Sequence, residues 1–215
     1  MALILGLLVA VLVVSDLFRL DLSLGPGLSV KNAVLYLVAF AVLFRLVISR
    51  SFKLELPGLH AAFAVLVIYA IISWQIVVLF LDYPRYSTLQ SAVHLKARLV
   101  DHAIFFLAFF YGLRSLADVK LVFRTMVLVW GVANLLTIAI VLGYVDIGVS
   151  MIGLDGDGSG LERVVGALGN PNETGSLIVC LLPLGFVLAA QSGPLMRFAY
   201  FGATAVSIGA LLLTA

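Results

Sequence analysis

The sequence predicts an all-α, polytopic transmembrane helical bundle of about seven spans. Three observations carry that expectation. Hydrophobic residues make up 63% of the 215-residue chain and charged residues 11%, whereas a soluble domain is roughly half apolar and about a quarter charged. Mean hydropathy is +1.21. The apolar runs are continuous instead of alternating, which favours helices over the strands of a closed barrel. In lipid the backbone must satisfy its own hydrogen bonds, so helix and barrel are the two available choices.

Seven apolar segments fall at approximately 1–14, 30–48, 59–80, 100–113, 121–143, 173–190 and 197–215. The first begins without a basic leader and runs into Ser15-Asp16-Leu17, a poor cleavage site, so it reads as a short first span and not as a removed signal peptide. The second follows the breaker Gly25-Pro26-Gly27 and the third follows Pro57-Gly58. The fourth is short and draws on its polar flanks. The sixth follows Asn170-Pro171-Asn172, where Asn is a good N-cap and Pro suits the first helical position. Gly193-Pro194 separates the sixth from the seventh. The chain reads as one transmembrane helical domain. It stops within an apolar run at Leu211-Leu212-Leu213-Thr214-Ala215, so it is expected to be the N-terminal part of a longer protein.

Lys and Arg in the short loops set orientation. With the N-terminus inside, Arg45, Arg50, Lys53, Arg114, Lys120, Arg124 and Arg197 lie inside; Arg19, Lys31, Arg85, Lys96, Arg98 and Arg163 lie outside. The acids are less even: only Glu55 and Asp118 of the eleven fall inside. The expected topology is N-in and C-out. Basic residues outside run against the rule, so they are either headgroup contacts or ligands of an anion.

Net charge of +2 is too small to suggest nucleic acid. The single cysteine, Cys180, lies in an apolar run, cannot form an internal disulfide, and is expected to be a buried small hydrophobe.

The loop at 144–172 is the most unusual stretch. It is rich in glycine and carries one basic residue, Arg163, just ahead of the sixth span. Glycine lets backbone amides approach a ligand, a helix N-terminus suits an anion, and arginine can grip phosphate with two bonds. The loop therefore reads either as a phosphate cradle or as a set of turns in which Arg163 pairs with Glu162 or Glu173. Asp155, Asp157 and Ser159 resemble the opening of a calcium loop, but its twelfth position is Gly166 and not glutamate. Gly153, Gly156, Gly158 and Gly160 are no dinucleotide fingerprint, because no βαβ unit surrounds them. Asn172-Glu173-Thr174 matches a glycosylation sequon but abuts a span.

The loop from Asp82 to Asp101 fits an interfacial helix, with Arg85, His94, Lys96 and Arg98 facing headgroups or helping to hold a lipid pyrophosphate. His94 and His102 have no third partner for a metal, so no metal site is expected. No serine–histidine–acid set is legible, so the catalytic residues stay unassigned. Ionisable residues are nearly absent from the spans, which argues mildly against a proton-coupled carrier.

The run Arg163-Val-Val-Gly166-Ala-Leu-Gly-Asn170-Pro171-Asn172-Glu-Thr-Gly resembles the Arg-x-x-Gly-x-x-x-Asn-Pro-Asn signature of the O-antigen ligase and polymerase superfamily. The stretch from Asp21 to Asn32 resembles that family's first outside loop, and the order of spans and loops is similar. The resemblance covers this chain but only the front of a typical member. It implies a bacterial inner-membrane glycosyltransferase of cell-surface polysaccharide and lipopolysaccharide biosynthesis, working on the periplasmic side without metal or other cofactor. The donor would be a glycan on undecaprenyl pyrophosphate, and the acceptor lipid A–core or another glycan repeat, with membrane lipids around both. Arg163 would grip the donor pyrophosphate; Gly166, Asn170 and Asn172 would complete its site, and Arg85, Lys96 and Arg98 would assist. Members carry a further arginine and a basic histidine on a large later loop, which no position here matches. The competing readings are a transporter, for bicarbonate or a lipid-linked sugar, and a truncated non-catalytic membrane protein.

Overall fold

The computed structural model describes residues 1–18, 20, 22–25, 27–50, 57–80, 87–146, 152–154, 162–166, 168 and 170–214. Helix dominates these residues, as the hydropathy pattern requires. The order is α1 (Ala2–Leu17), β1 (Ser23–Gly25), β2 (Leu28–Ser29), α2 (Val30–Ile48), α3 (Pro57–Phe80), α4 (Thr88–Leu95), a π-helical segment (Lys96–Val100), α5 (Asp101–Gly112), α6 (Leu116–Val141), β3 (Ile152–Leu154), β4 (Glu162–Val164), α7 (Pro171–Ala190) and α8 (Pro194–Thr214). Five helices, α2, α3, α6, α7 and α8, are long and apolar enough to cross a membrane. The protein is an all-α, multi-pass membrane protein. Helix α1 has 16 residues, which at about 1.5 Å per residue reach about 24 Å, less than the roughly 30 Å hydrocarbon core.

The helix starts follow local chemistry. Ser29 caps α2, its side chain accepting from the Asn32 amide. Ser115 and Asp118 form a capping box at α6: the Asp118 amide donates to Ser115 Oγ, and the Ser115 amide donates to the Asp118 carboxylate. Two differences from the sequence reading stand out. The helix expected in the 82–101 loop and the fourth apolar segment are not separate elements, because α4, the π segment and α5 run on without a break from Thr88 to Gly112. The loops also hold two small antiparallel hairpins, β1–β2 and β3–β4, which have no hydropathy signature at this length.

Contacts divide the chain into two units, one of Met1 and residues 22–113, the other of residues 2–21 and 114–215. In the first, α2 packs on α5. Helix α3 carries no Asp, Glu, Lys or Arg and has no buried residue, as befits a helix facing lipid. It is tied to its neighbours by Trp74 Nε1, which donates to Ser91 Oγ of α4 at 2.9 Å, and by Phe63 stacked on Phe106 of α5.

In the second unit, α1 packs on α6, and α8 packs on both α6 and α7. Small residues let these backbones approach. A Cβ on Gly131 would lie 2.5 Å from Ala203 Cβ, and one on Gly185 would lie 2.2 Å from Thr204 Oγ1. Lipid tails are as apolar as leucine, so close backbone packing of this kind, and not hydrophobic exclusion, drives helix association in membranes. Val127, Leu188, Ala189 and Tyr200 form a buried cluster. Cys180 is exposed and not buried as expected. It lies on the α7 face away from Ile178, which is 1% exposed, and a thiol is apolar enough to face lipid tails.

Candidate functional site

The signature-like run forms one corner at the start of α7. Strand β4 pairs with β3 in the register Ile152–Val164, Gly153–Arg163 and Leu154–Glu162. Arg163 is thus carried on a hairpin strand that packs against α8, with Val164 buried beneath it. The Arg163 side chain lies outside the described residues, so its expected pairing with Glu162 or Glu173 and its expected grip on phosphate both remain expectations.

Three residues turn the chain from β4 into α7. Gly166 has φ of 67°, a left-handed conformation that glycine adopts without a Cβ penalty. A Cβ there would also lie 2.5 Å from Thr174 Cγ2. Thr174 is 1% exposed, and its hydroxyl donates to the Val165 carbonyl at 2.8 Å. Asn170 caps α7: its side-chain oxygen accepts from the Asn172 amide at 2.9 Å and the Glu173 amide at 3.3 Å, and Pro171 occupies the first turn. The expected helix start at Asn170-Pro171-Asn172 is present.

This geometry corrects one expectation. The amides of Asn172 and Glu173 are taken by the Asn170 side chain, the Thr174 amide bonds the Asn170 carbonyl, and Pro171 has no N–H. The first turn of α7 therefore presents no unengaged amide for a phosphate in this state. The helix dipole still favours an anion there, and Asn172 itself is exposed. Thr174 is not among the site residues that the sequence predicts. Its only signal is a hydroxyl four residues after a capping asparagine, and nothing local announces that it will reach back to Val165.

The basic residues of the 82–101 loop do not behave alike. Arg85 lies outside the described residues. Arg98 and His94 are exposed, as headgroup-facing cations would be. Lys96 instead turns inward. Its ammonium donates to the Gly27 carbonyl at 2.7 Å and to Asp101 Oδ2 at 3.0 Å, and sits 5.2 Å from the centre of the Tyr36 ring. The Tyr36 hydroxyl donates to the other Asp101 oxygen. Asp101 is 8% exposed, so a partner is what makes its charge tolerable. Lys96 precedes the fourth apolar segment. Burial alone would lower its pKa; the hydrogen bonds to Tyr36 and Asp101, with the attraction of Asp101, outweigh burial and raise it. The ammonium stays charged as a latch between the β1–β2 turn and the π segment. The physical reason for the difference from a headgroup contact is the buried carboxylate five residues on. His102, by its Nδ1, bonds the Ala97 carbonyl at 2.9 Å.

Among the described residues no three His, Cys, Asp or Glu side chains come together to hold a metal. The other buried polar residues among those described, Asn134, Thr137, Thr174, Thr204 and Ser207, all belong to the second unit.

No protein-family model, curated protein or solved structure matches the chain.

Proposed function

We propose that the chain is the donor-binding part of a membrane glycosyltransferase that moves a glycan from undecaprenyl pyrophosphate to lipid A–core or to another glycan repeat, on the periplasmic face of a bacterial inner membrane. The observation that carries the reading is the corner joining β4 to α7. At this corner Gly166 takes a left-handed backbone, the buried Thr174 hydroxyl donates to the Val165 carbonyl and Asn170 caps α7, while Arg163 lies on the strand that leads into it. The first-turn amides are engaged, so what this corner offers a pyrophosphate is the positive end of the helix dipole and the arginine carried on β4.

The chemistry follows from the leaving group. Transfer breaks the bond between the glycan's first carbon and the pyrophosphate oxygen and forms one to an acceptor hydroxyl. Negative charge grows on the departing pyrophosphate, and a fixed guanidinium there lowers the barrier. A base removes the acceptor proton; no residue of this chain is assigned that role.

The test is transfer in the intact protein reconstituted with lipid-linked glycan and acceptor. Arg163→Ala is expected to abolish release of undecaprenyl pyrophosphate, and Arg163→Lys to retain little of it, while insertion is unchanged. Wild-type transfer by Arg163→Ala would remove Arg163 from the donor site. Movement of labelled solute across liposomes without any acceptor would favour the transporter reading instead.

A further inference from the structure

We infer that the α6–α7–α8 core binds a single ordered water molecule, held by the side chain of Asn134. This inference stands independently of the glycan-transfer reading. Asn134 lies in α6 and is 1% exposed. Its Nδ2 donates to Ser207 Oγ of α8 at 2.9 Å. Its Oδ1 is buried, and no donor among the described residues reaches it. An amide oxygen left bare in hydrocarbon is strongly unfavourable, so this atom demands a donor.

The neighbouring hydroxyls cannot supply one. Ser207 Oγ donates to the Ala203 carbonyl at 2.8 Å, and Thr204 Oγ1 donates to the Tyr200 carbonyl at 2.7 Å. Each spends its single proton on its own helix and keeps only lone pairs for other partners. Exchanging the amide oxygen and nitrogen of Asn134 does not help, because Ser207 would then have no proton to offer the oxygen. The missing group must therefore donate to Asn134 Oδ1, and a second proton on it can serve a hydroxyl oxygen.

The space fits that description. A cavity bordered by Trp130, Asn134, Ile178, Thr204 and Ser207 has about 10 Å³ of room for the centre of a water-sized molecule, close to the minimum of roughly 10–15 Å³ that one water needs. Cavities lined only by apolar groups stay dry, but one with several polar partners is filled. None of the residues bordering it is charged, and an unpaired cation within a bilayer is costly. Water, a neutral double donor of the right size, meets the requirement. It would bridge α6 to α8 beside the contact that Gly185 of α7 makes with Thr204.

The deciding experiment is a structure of the intact protein in a lipid nanodisc at a resolution that shows waters, for the wild type and for Asn134→Leu. The wild type is expected to show one peak within about 2.7–3.2 Å of Asn134 Oδ1 and within the same distance of Thr204 Oγ1 or Ser207 Oγ; Asn134→Leu is expected to lose it. Should Asn134→Leu not fold, Thr204→Val keeps the shape and removes one acceptor, and the peak should weaken or shift toward Ser207. No peak in the wild type, a side chain turned to donate to Oδ1, or a cation with a full shell of oxygen ligands would overturn the inference.

Discussion

Gly166 and Thr174 touch at the corner between β4 and α7, and the contact leaves no room for a side chain on Gly166. A Cβ would fall 2.5 Å from Thr174 Cγ2 and 2.9 Å from its hydroxyl oxygen, at a backbone φ of 67°. Gly166→Ala is therefore opposed twice, by the left-handed backbone and by the clash. It is expected to lower stability by about 1–3 kcal/mol, seen as a lower midpoint in thermal unfolding in detergent. Thr174→Val keeps the shape and loses the bond to the Val165 carbonyl, so its cost should be nearer 1 kcal/mol. Equal midpoints for Gly166→Ala and wild type would mean that the corner is looser than this contact implies.

Asn170 holds the first turn of α7 through two amides. Asn170→Ala should cost about 1 kcal/mol of helix stability, while Asn170→Asp should be close to neutral. Amide hydrogen exchange reads the effect locally: in Asn170→Ala the Asn172 and Glu173 amides should exchange faster, with α8 unchanged. The same variant exposes two amides to an anion. If phosphate slows their exchange in Asn170→Ala but not in the wild type, the cap is what keeps anions off this turn.

Lys96 separates two roles that the sequence alone leaves together. As a latch on Asp101 and Gly27 it supports the fold. As a cation for the donor it would act only on transfer. Among the described residues, Lys96→Met leaves Asp101, with 11% side-chain exposure, facing the Tyr36 hydroxyl alone. Because the lysine side chain is itself 29% exposed, solvent screening reduces the cost to about 1–2 kcal/mol. Adding Asp101→Asn removes the uncompensated charge and should recover part of the loss. A variant Lys96→Met with wild-type thermal stability and lost transfer would return Lys96 to the donor site.

Gly131 packs on α8 with no spare volume: a Cβ there would lie 2.5 Å from Ala203 Cβ and 3.0 Å from Ala203 Cα. Gly131→Ala should therefore push α6 from α8 and cost about 1–3 kcal/mol, and Gly131→Leu more. Ala203→Gly on the same chain removes the nearer of the two obstacles and should restore part of the stability. Full additivity of the two changes would deny the contact.

Much of the fold was legible because hydropathy is a local property. The five long helices lie within a few residues of the apolar segments read from composition, and α7 starts at the asparagine–proline pair that a cap and a restricted φ both favour. The fourth segment, at 100–113, coincides with α5, and hydropathy alone does not join it to the more polar α4 and π segment. Their continuity into α5 depends on backbone bonding that hydropathy does not register.

The sequence by itself determined that this chain lives in lipid, roughly where each helix begins, and that Arg163, Gly166 and Asn170 belong to one short run. Only the tertiary structure decided which way the polar side chains face. Lys96 finds a carbonyl 69 positions away at Gly27, and Asn134 finds a hydroxyl 73 positions away at Ser207. The physical reason is that insertion depends on each segment's own transfer free energy, summed residue by residue. The partner of a buried polar group depends instead on which helices pack side by side, and small residues such as Gly131 and Gly185 set that packing through contacts distant in the chain.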